Sequence, residues 1–418
     1  MLVLKRKMRI RVNRKRKVRL IEALSVLIIF CCVHLATRPG CQIVDGFNKA
    51  PSQLVYRQEG KHPDLFPRYD ADHLANGVLW KVAEREYGGV AYNRHLPLIF
   101  VGGHPRSGTT LMRSMLDAHP DVHCGEETHI IPQILDKRYN FVASYRQAKL
   151  NHMQVGESVQ SAAVSDFILE IIVKHGKPAS HYCNKDPFTM AHGAFLHETF
   201  PNARMIFMIR DGRATAHSIV QREVGIGRMD ITSYRDVLTK WNDNVNGMWN
   251  QCRVLGEYCL MVKYEDLVLH PRSTLHTIVN FAGVEWHDWL MEHEKHMDMI
   301  GLSGVEKSTD QVKKPLYTDS LMAWVGQIPV DVEQDIRAIA PMIATLGYDI
   351  TSHNPTYGQP DAEVTERYHD WLSKQEERPQ NSPTVHVADR DEHNPQMPGR
   401  KKVMQGRRRA QPQIKLLP

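Results

Sequence analysis

The apolar positions of this chain fall into short continuous runs separated by longer stretches of helical period. "LPLIFVGG" (96–103), "HYCNKDP" (181–187), "ARMIFMIRDGR" (203–213) and "CLMVKYEDL" (259–267) are brief apolar runs that mostly end in glycine or polar residues. Such runs, rather than strict alternation, mark strands buried on both faces. Between them lie "TLMRSMLDAHP", stopped by Pro120, and "SVQSAAVSDFILEIIVKHG", stopped by Gly176 and Pro178, followed by helical stretches near 190–200, 214–223 and 233–255. Strands that alternate with helices predict an α/β fold with a parallel sheet flanked by helices. Sites in such sheets lie beyond the carboxyl ends of the strands, which is where Arg106, Lys185, Arg210 and Tyr264 fall.

The ends of the chain read differently. Residues 1–20 hold ten Lys or Arg and no acid, and residues 399–418 hold seven and no acid. Removing them from the totals leaves 36 basic against 47 acidic residues, so a chain with formal charge +6 has a body of about −11. Nucleic acid is therefore not an expected partner, and an acidic ligand needs a local basic patch. Residues 1–19 form a basic arm before the apolar stretch 20–36, and this order favours an uncleaved signal anchor with the arm in the cytoplasm. A cleaved signal peptide and a buried helix are the alternatives. Residues 37–95 read as a stem and the start of the globular unit, with a helix-like "ANGVLWKVAEREYG" at 75–88. Residues 96–357 read as the catalytic unit and 358–418 as a disordered basic tail. In a luminal body, Cys124, Cys183, Cys252 and Cys259 are disulfide candidates with three possible pairings. No metal-ligand cluster stands out, so no metal is expected.

"GGHPRSGTT" carries the first chemical signal. Gly103 and Gly108 have the spacing of a phosphate-binding loop, but Thr109 stands where the lysine of a nucleotide triphosphatase belongs. Strand, glycine loop and helix in that order aim backbone amides, here those of Ser107 to Thr110, at an anion. Arg106 can supply the missing charge from within the loop. No apolar strand ending in a magnesium-holding Asp is apparent, which argues against nucleotide hydrolysis.

Together with "CGEETHIIPQIL", "RDGRATAHSI", "SYRDVLTKWN", "VEKSTDQVKKP" and "APMIATLGYD", the segment from Pro105 resembles the tyrosylprotein sulfotransferases over roughly 96–357. The resemblance implies transfer of a sulfuryl group from 3′-phosphoadenosine 5′-phosphosulfate (PAPS) to tyrosine hydroxyls in acidic segments of secretory and membrane proteins. It further implies a homodimer in the Golgi membrane, single-pass with a luminal catalytic domain, and no metal requirement. Carried over residue by residue, Glu127 is the general base, with Arg106, Lys185 and Ser308 as the other catalytic residues. Arg106, Ser107, Gly108, Thr109 and Thr110 hold the 5′-phosphosulfate, and Arg210, Ser218 and Arg222 hold the 3′-phosphate. Ser218 and Arg222 are four residues apart and share a helix face. Tyr264 and the run Ser308, Thr309, Asp310, Gln311, Val312, Lys313, Lys314, Pro315, Leu316 and Tyr317 complete the donor site. The same resemblance pairs Cys124 with Cys183 and Cys252 with Cys259.

The acceptor peptide corresponds to His129, Ile130, Ile131, Pro132 and Gln133. Vertebrate members of the family carry arginine at both ends of that segment, so His129 and Gln133 are departures that bear on acceptor preference. Ala323 replaces a donor-binding lysine, with Lys313 or Lys314 as candidates to compensate. A carbohydrate sulfotransferase of the same fold, or an inactive donor-binding scaffold, is the competing reading. Arg213 is left as a candidate structural ion-pair residue.

Overall fold

In the computed structural model, residues 68–69, 81–82, 91–142, 147–300 and 308–376 are described. Five parallel strands form the central sheet: β4 (Ile99–Gly103), β5 (Val122–His123), β6 (His181–Lys185), β7 (Arg204–Ile209) and β8 (Cys259–Lys263), in the order β5-β6-β4-β7-β8. All of β4 is buried, as are five of the six residues of β7. That explains why both read as continuous apolar runs rather than alternating ones.

Alternation reappears as a division between two cores. Phe100, Met205, Phe207 and Ile209 pack into one cluster, and Ile99, Val101, Ile206 and Met208 into the other. The first face is covered by α3 (Glu157–Lys174), through Ile168, Leu169, Ile172 and Val173, and by α5 (Tyr234–Leu255). The second is covered by α1 (Thr109–Asp117), through Met112, Met115 and Leu116, and by α7 (Pro271–Ala282), through Leu275 and Ile278. The sequence of α5 accounts for its position. Ser233 caps its start by accepting from the Asp236 amide at 3.3 Å, and Val237, Leu238, Trp241, Val245, Met248, Cys252 and Leu255 form a buried stripe at helical spacing.

Around this core, α2 (Ile130–Val142) follows β5, α4 (Gly212–Gln221) follows β7, and α6 (Tyr264–Leu269) follows β8. The predicted helix at 190–200 is a 3-10 segment, Pro187–His192, running into a helix at Gly193–Thr199. Both implied disulfides are present: Cys124–Cys183 joins the neighbouring strands β5 and β6, and Cys252–Cys259 joins the end of α5 to β8.

Two expectations are corrected. Lys81–Val82, inside the expected helix 75–88, is strand β2, pairing antiparallel with β1 (Arg68–Tyr69) and β3 (Ala91–Tyr92). Cross-strand partners remote in sequence outweighed a weak local helical preference. As expected of a globular unit that starts within 37–95, Tyr92 is fully buried and bonds Glu170 through its hydroxyl at 2.9 Å.

At the other end, Ala362–Glu376, placed in the disordered tail, is helical. Buried Val364 docks it on the second core, the Arg367–Glu294 ion pair ties it down at 2.6 Å, and Tyr368 stacks on Tyr317. Residues 377–418, the stretch 1–19 and the expected anchor 20–36 lie outside the described residues. Among the described residues no helix is long and apolar enough to cross a membrane.

Candidate active site

The loop after β4 is shaped by contacts that forbid side chains at its glycines. A Cβ at Gly103 would lie 2.4 Å from the Met208 carbonyl oxygen and 2.8 Å from Ser107 Oγ. At Gly108, the N-cap of α1, it would lie 2.4 Å from the Tyr264 ring, and φ is 96°. Arg106 between them adopts φ 73°, a left-handed backbone that costs a non-glycine residue about 1 kcal/mol or more. Beyond the loop, the first-turn amides of α1, at Thr109, Thr110 and Leu111, have no acceptor within their own helix. Ser107 departs from the expected cradle, because its amide donates to the His104 carbonyl at 3.0 Å and so belongs to the turn. Its hydroxyl oxygen is buried without a hydrogen-bond partner.

Among the described residues, Arg106 binds only neutral groups. Its Nε donates to Ser218 at 2.9 Å, Nη1 to the Ser308 hydroxyl, and Nη2 to Gln311 Oε1 at 2.6 Å. Arg210, just past β7, donates to the carbonyls of Arg106 at 3.1 Å and Ser320 at 2.7 Å, and its Nε is buried without a partner. Burial, then the nearby Arg222 and Arg210 cations, push the Arg106 guanidinium down to about 10. Charges of one sign have thus been gathered where an anion would relieve their repulsion.

Arg106 and Arg210 border an open cleft. Tyr264 opens α6 beneath it, its ring 4.5 Å from the Arg210 guanidinium and its hydroxyl 2.9 Å from Ser320 Oγ. The segment α8 (Thr309–Val312) and the residues after it close one side. There Val312, Pro315 and Leu316 are buried, Lys314 and Tyr317 line the cleft, and Asp310 and Lys313 are exposed. Ala323 is exposed at the end of the short helix Asp319–Met322. Cationic forks, free first-turn amides and orphaned polar atoms beside an apolar wall suit a phosphorylated or sulfated nucleotide.

The second half of the site lies at the end of β6, paired in register with β4 through Val101 and Lys185. Lys185, fully buried, forms a close ion pair with Glu127 Oε2, and His129 Nδ1 is 3.1 Å from the other oxygen, Oε1. Asp186 organises the chain that carries Glu127. It accepts from the His129 amide at 2.9 Å, from the Thr128 hydroxyl at 3.2 Å and from Asn184 Nδ2 at 3.1 Å. Burial, reinforced by the facing charge of Glu127, raises the Asp186 carboxyl to about 6.

The expected acceptor segment is only partly available to a peptide. Ile131 is fully buried in the core, whereas His129, Ile130 and Gln133 are exposed and Pro132 is half-buried. Ser218 reaches the site from α4, as helix periodicity required, and Arg222 follows at the end of that helix. Arg213 belongs to the scaffold. It is clamped on Asp211 at 2.8 Å and stacked 4.3 Å over Trp324.

Four contributors escaped the sequence reading: Leu111, which follows Thr110 at the cleft, and Val268, Ser320 and Asp186. Val268 follows Tyr264 by one helical turn and could have been found by periodicity. Ser320 acts through its carbonyl and hydroxyl, and Asp186 through the His129 amide and the Thr128 hydroxyl, for which the sequence carries no signal.

Comparison with known proteins agrees with this geometry. A model of the Sulfotransferase family matches residues 97–288. A protein-tyrosine sulfotransferase of Drosophila melanogaster is 44% identical over 84% of this chain and 68% of its own length. Protein-tyrosine sulfotransferase 1 of Danio rerio is 48% identical, covering 70% of this chain and 83% of that protein. The Homo sapiens protein of the same name is 49% identical over 66% of this chain and 76% of its own. With a cationic cleft at the end of β4, a carboxylate–lysine pair at the end of β6 and this extent of identity, the chain belongs to the protein-tyrosine sulfotransferase family.

Proposed function

We propose that this chain transfers the sulfuryl group of PAPS to tyrosine hydroxyls in acidic protein segments, by in-line displacement with Glu127 as general base. The observation that carries the reading is the Arg106 guanidinium, held among Ser218, Ser308 and Gln311 beside Arg210, with no carboxylate bonded to it among the described residues. PAPS supplies the sulfuryl group, whose bond to the 5′-phosphate oxygen breaks as the bond to the tyrosine oxygen forms.

The chain's own residues supply the rest. Arg106 and the first-turn amides of α1 bind the charge of the 5′ end, and Arg210, Ser218 and Arg222 that of the 3′-phosphate. Fixed donors in a water-poor cleft stabilise developing charge more strongly than water does, because they need no reorganisation as the reaction proceeds. Glu127 removes the phenolic proton, since a tyrosine hydroxyl is a weak nucleophile near neutral pH. Lys185, paired with Glu127 at the end of β6, can bridge the base and the leaving phosphate oxygen. Ser308, bonded to Arg106, is placed to share in that stabilisation.

The basic arm before the apolar stretch 20–36 supports a membrane-anchored protein facing the Golgi lumen, and two disulfides in the body suit that oxidising compartment. Assembly as a homodimer rests on family membership.

Glu127→Gln tests the chemical step. A positioned base contributes roughly 10² to 10⁴ in rate, so kcat on an acidic tyrosine peptide falls by about that factor. Affinity for the product nucleotide, measured by calorimetry, stays within about twofold because the base does not hold the donor. Wild-type turnover in this variant would remove Glu127 from the mechanism.

A further inference from the structure

The last described helix, α9 (Ala362–Glu376), meets the segment that closes the cleft along one stripe of side chains. Val364, Arg367, Tyr368 and Trp371 follow the spacing of a single helix face. Part of that face fastens the helix to the scaffold. Arg367 donates to the Met291 carbonyl and pairs with Glu294 at 2.6 Å, while the neighbouring Glu363 pairs with Arg272 at 3.0 Å. The rest of it holds the segment after α8. Val364 shares the second core with Leu316, and Tyr368 stacks on Tyr317 with ring centroids 5.7 Å apart and planes inclined by 27°. Trp371 stacks on Tyr368 at 6.1 Å and 8°, and Lys314 Nζ lies 5.6 Å from the centre of the Trp371 ring. These are the spacings of attractive ring pairs and of a cation over an aromatic face.

Lys314 and Tyr317 line the cleft, and Tyr368 and Trp371 stand behind them. From Tyr317 the contacts continue inward. Gln311 Nε2 donates to the Tyr317 hydroxyl at 3.4 Å, and Gln311 Oε1 accepts from Arg106 Nη2 at 2.6 Å. The segment bearing these groups has little regular structure of its own: α8 is four residues long, and residues 313–317 lie outside any helix or strand. Side chains on such a segment keep rotameric freedom unless something outside it holds them, and a ligand that binds them must then offset the entropy of ordering them.

We propose that Tyr368 and Trp371 are positioning residues for the sulfuryl donor, holding Tyr317 and Lys314 in their binding arrangement and, through Gln311, steadying the Arg106 fork. The proposal rests on the cleft being the PAPS site. Its effect falls on donor affinity rather than on the chemical step, since Arg106 keeps its bonds to Ser218 and Ser308 without the aromatic ladder.

The test is donor affinity of the full chain, read by calorimetry with adenosine 3′,5′-bisphosphate and by KM for PAPS. An aromatic pair is worth about 2- to 10-fold, so Tyr368→Ala and Trp371→Ala weaken binding and raise KM by that factor while kcat stays within about twofold. Tyr368→Phe restores wild-type affinity, because the stack needs the ring and not the hydroxyl. Since Tyr368 acts by way of Tyr317, adding Tyr368→Ala to Tyr317→Ala gives no further loss, whereas a general loosening of the fold would multiply the two effects. Denaturant unfolding confirms that each variant is folded. Trp371→Phe, which keeps the stack but weakens the hold on Lys314, shows a smaller loss of the same kind and replaces Trp371→Ala should that protein not fold.

Unchanged affinity in both alanine variants overturns the proposal. So does a loss confined to kcat, a loss that Tyr368→Phe does not restore, or one that multiplies with Tyr317→Ala. A wild-type chain that binds the nucleotide but sulfates no tyrosine peptide sinks the acceptor reading alone, because the calorimetric comparison still decides the role of the ladder. A wild-type chain that binds no nucleotide overturns both.

Discussion

Arg106 and Arg213 are both largely buried guanidiniums at the carboxyl edge of the same sheet, and they have opposite surroundings. Arg213 is bonded to Asp211 through Nε and Nη2, at 3.0 and 2.8 Å, and to the carbonyls of Ser352 and Asp349. Burial opposes its charge, but the hydrogen bonds and charge of Asp211 overcome that and raise its pKa. The same carboxylate accepts from the Tyr357 hydroxyl at 2.9 Å, and the Asp211 amide donates to buried Glu265 at 3.0 Å. Among the described residues Arg106 has only serines and a glutamine for partners, and burial and cationic neighbours push it down to about 10. An arginine satisfied by acids and carbonyls holds the fold together, whereas one surrounded by neutral groups and like charges is waiting for an anion.

The contrast can be broken by substitution. Arg213→Ala carries the largest expected effect, because removing one partner of a buried pair leaves Asp211 charged and uncompensated, at a cost of roughly 3–5 kcal/mol. Denaturant unfolding measures the loss, and the fraction that remains folded keeps near-wild-type affinity for the donor nucleotide. A stable Arg213→Ala protein that cannot bind nucleotide would reverse the assignment of the two arginines.

Arg106→Ala gives the complementary result. Hydrogen bonds to charged groups contribute about 1.5–3 kcal/mol each, so donor affinity falls by roughly 10- to 100-fold in calorimetry. The unfolding free energy stays within about 1 kcal/mol of wild type, since lost bonds to neutral side chains are offset by relief of repulsion from Arg210 and Arg222. Severe destabilisation would show that Arg106 is a structural residue after all.

The smallest change separates charge from geometry. Arg210→Lys keeps the cation but loses the fork that reaches the Arg106 and Ser320 carbonyls. The expected weakening of donor binding is severalfold, about 1 kcal/mol for one net hydrogen bond. No change at all would mean that net charge alone holds the 3′-phosphate.

Most of the site was legible because its chemistry is local. The β4–loop–α1 unit was readable from glycine spacing and an apolar run, and Ser218 with Arg222 from helical period. What stayed hidden depended on partners distant in sequence. Lys81–Val82 looked helical until β1 and β3 paired with it, and Ala362–Glu376 looked like tail because one buried residue, Val364, is a faint signal. Arg113 gave no hint in sequence that it would be fully buried against Asp117 at 3.5 Å, whose carboxylate binds the Cys124 amide leading to Glu127. Ile131 was expected at the acceptor surface from its position between His129 and Gln133, and one turn of helix instead directs it into the core.

The sequence by itself determined an anion site, a glycine loop with Thr109 in the lysine's place and Arg106 supplying the charge, whereas the roles of Glu127 and Lys185 came from the family resemblance. Short-range stereochemistry fixes such features, because left-handed turns and helix starts depend on a few adjacent residues. Only the tertiary structure decided that Arg106 is gathered beside Arg210 and Arg222, and that His129 leans on the Glu127 carboxylate. Those outcomes depend on burial and on charges brought together from β4, β6, β7 and α4, which no local run of residues encodes.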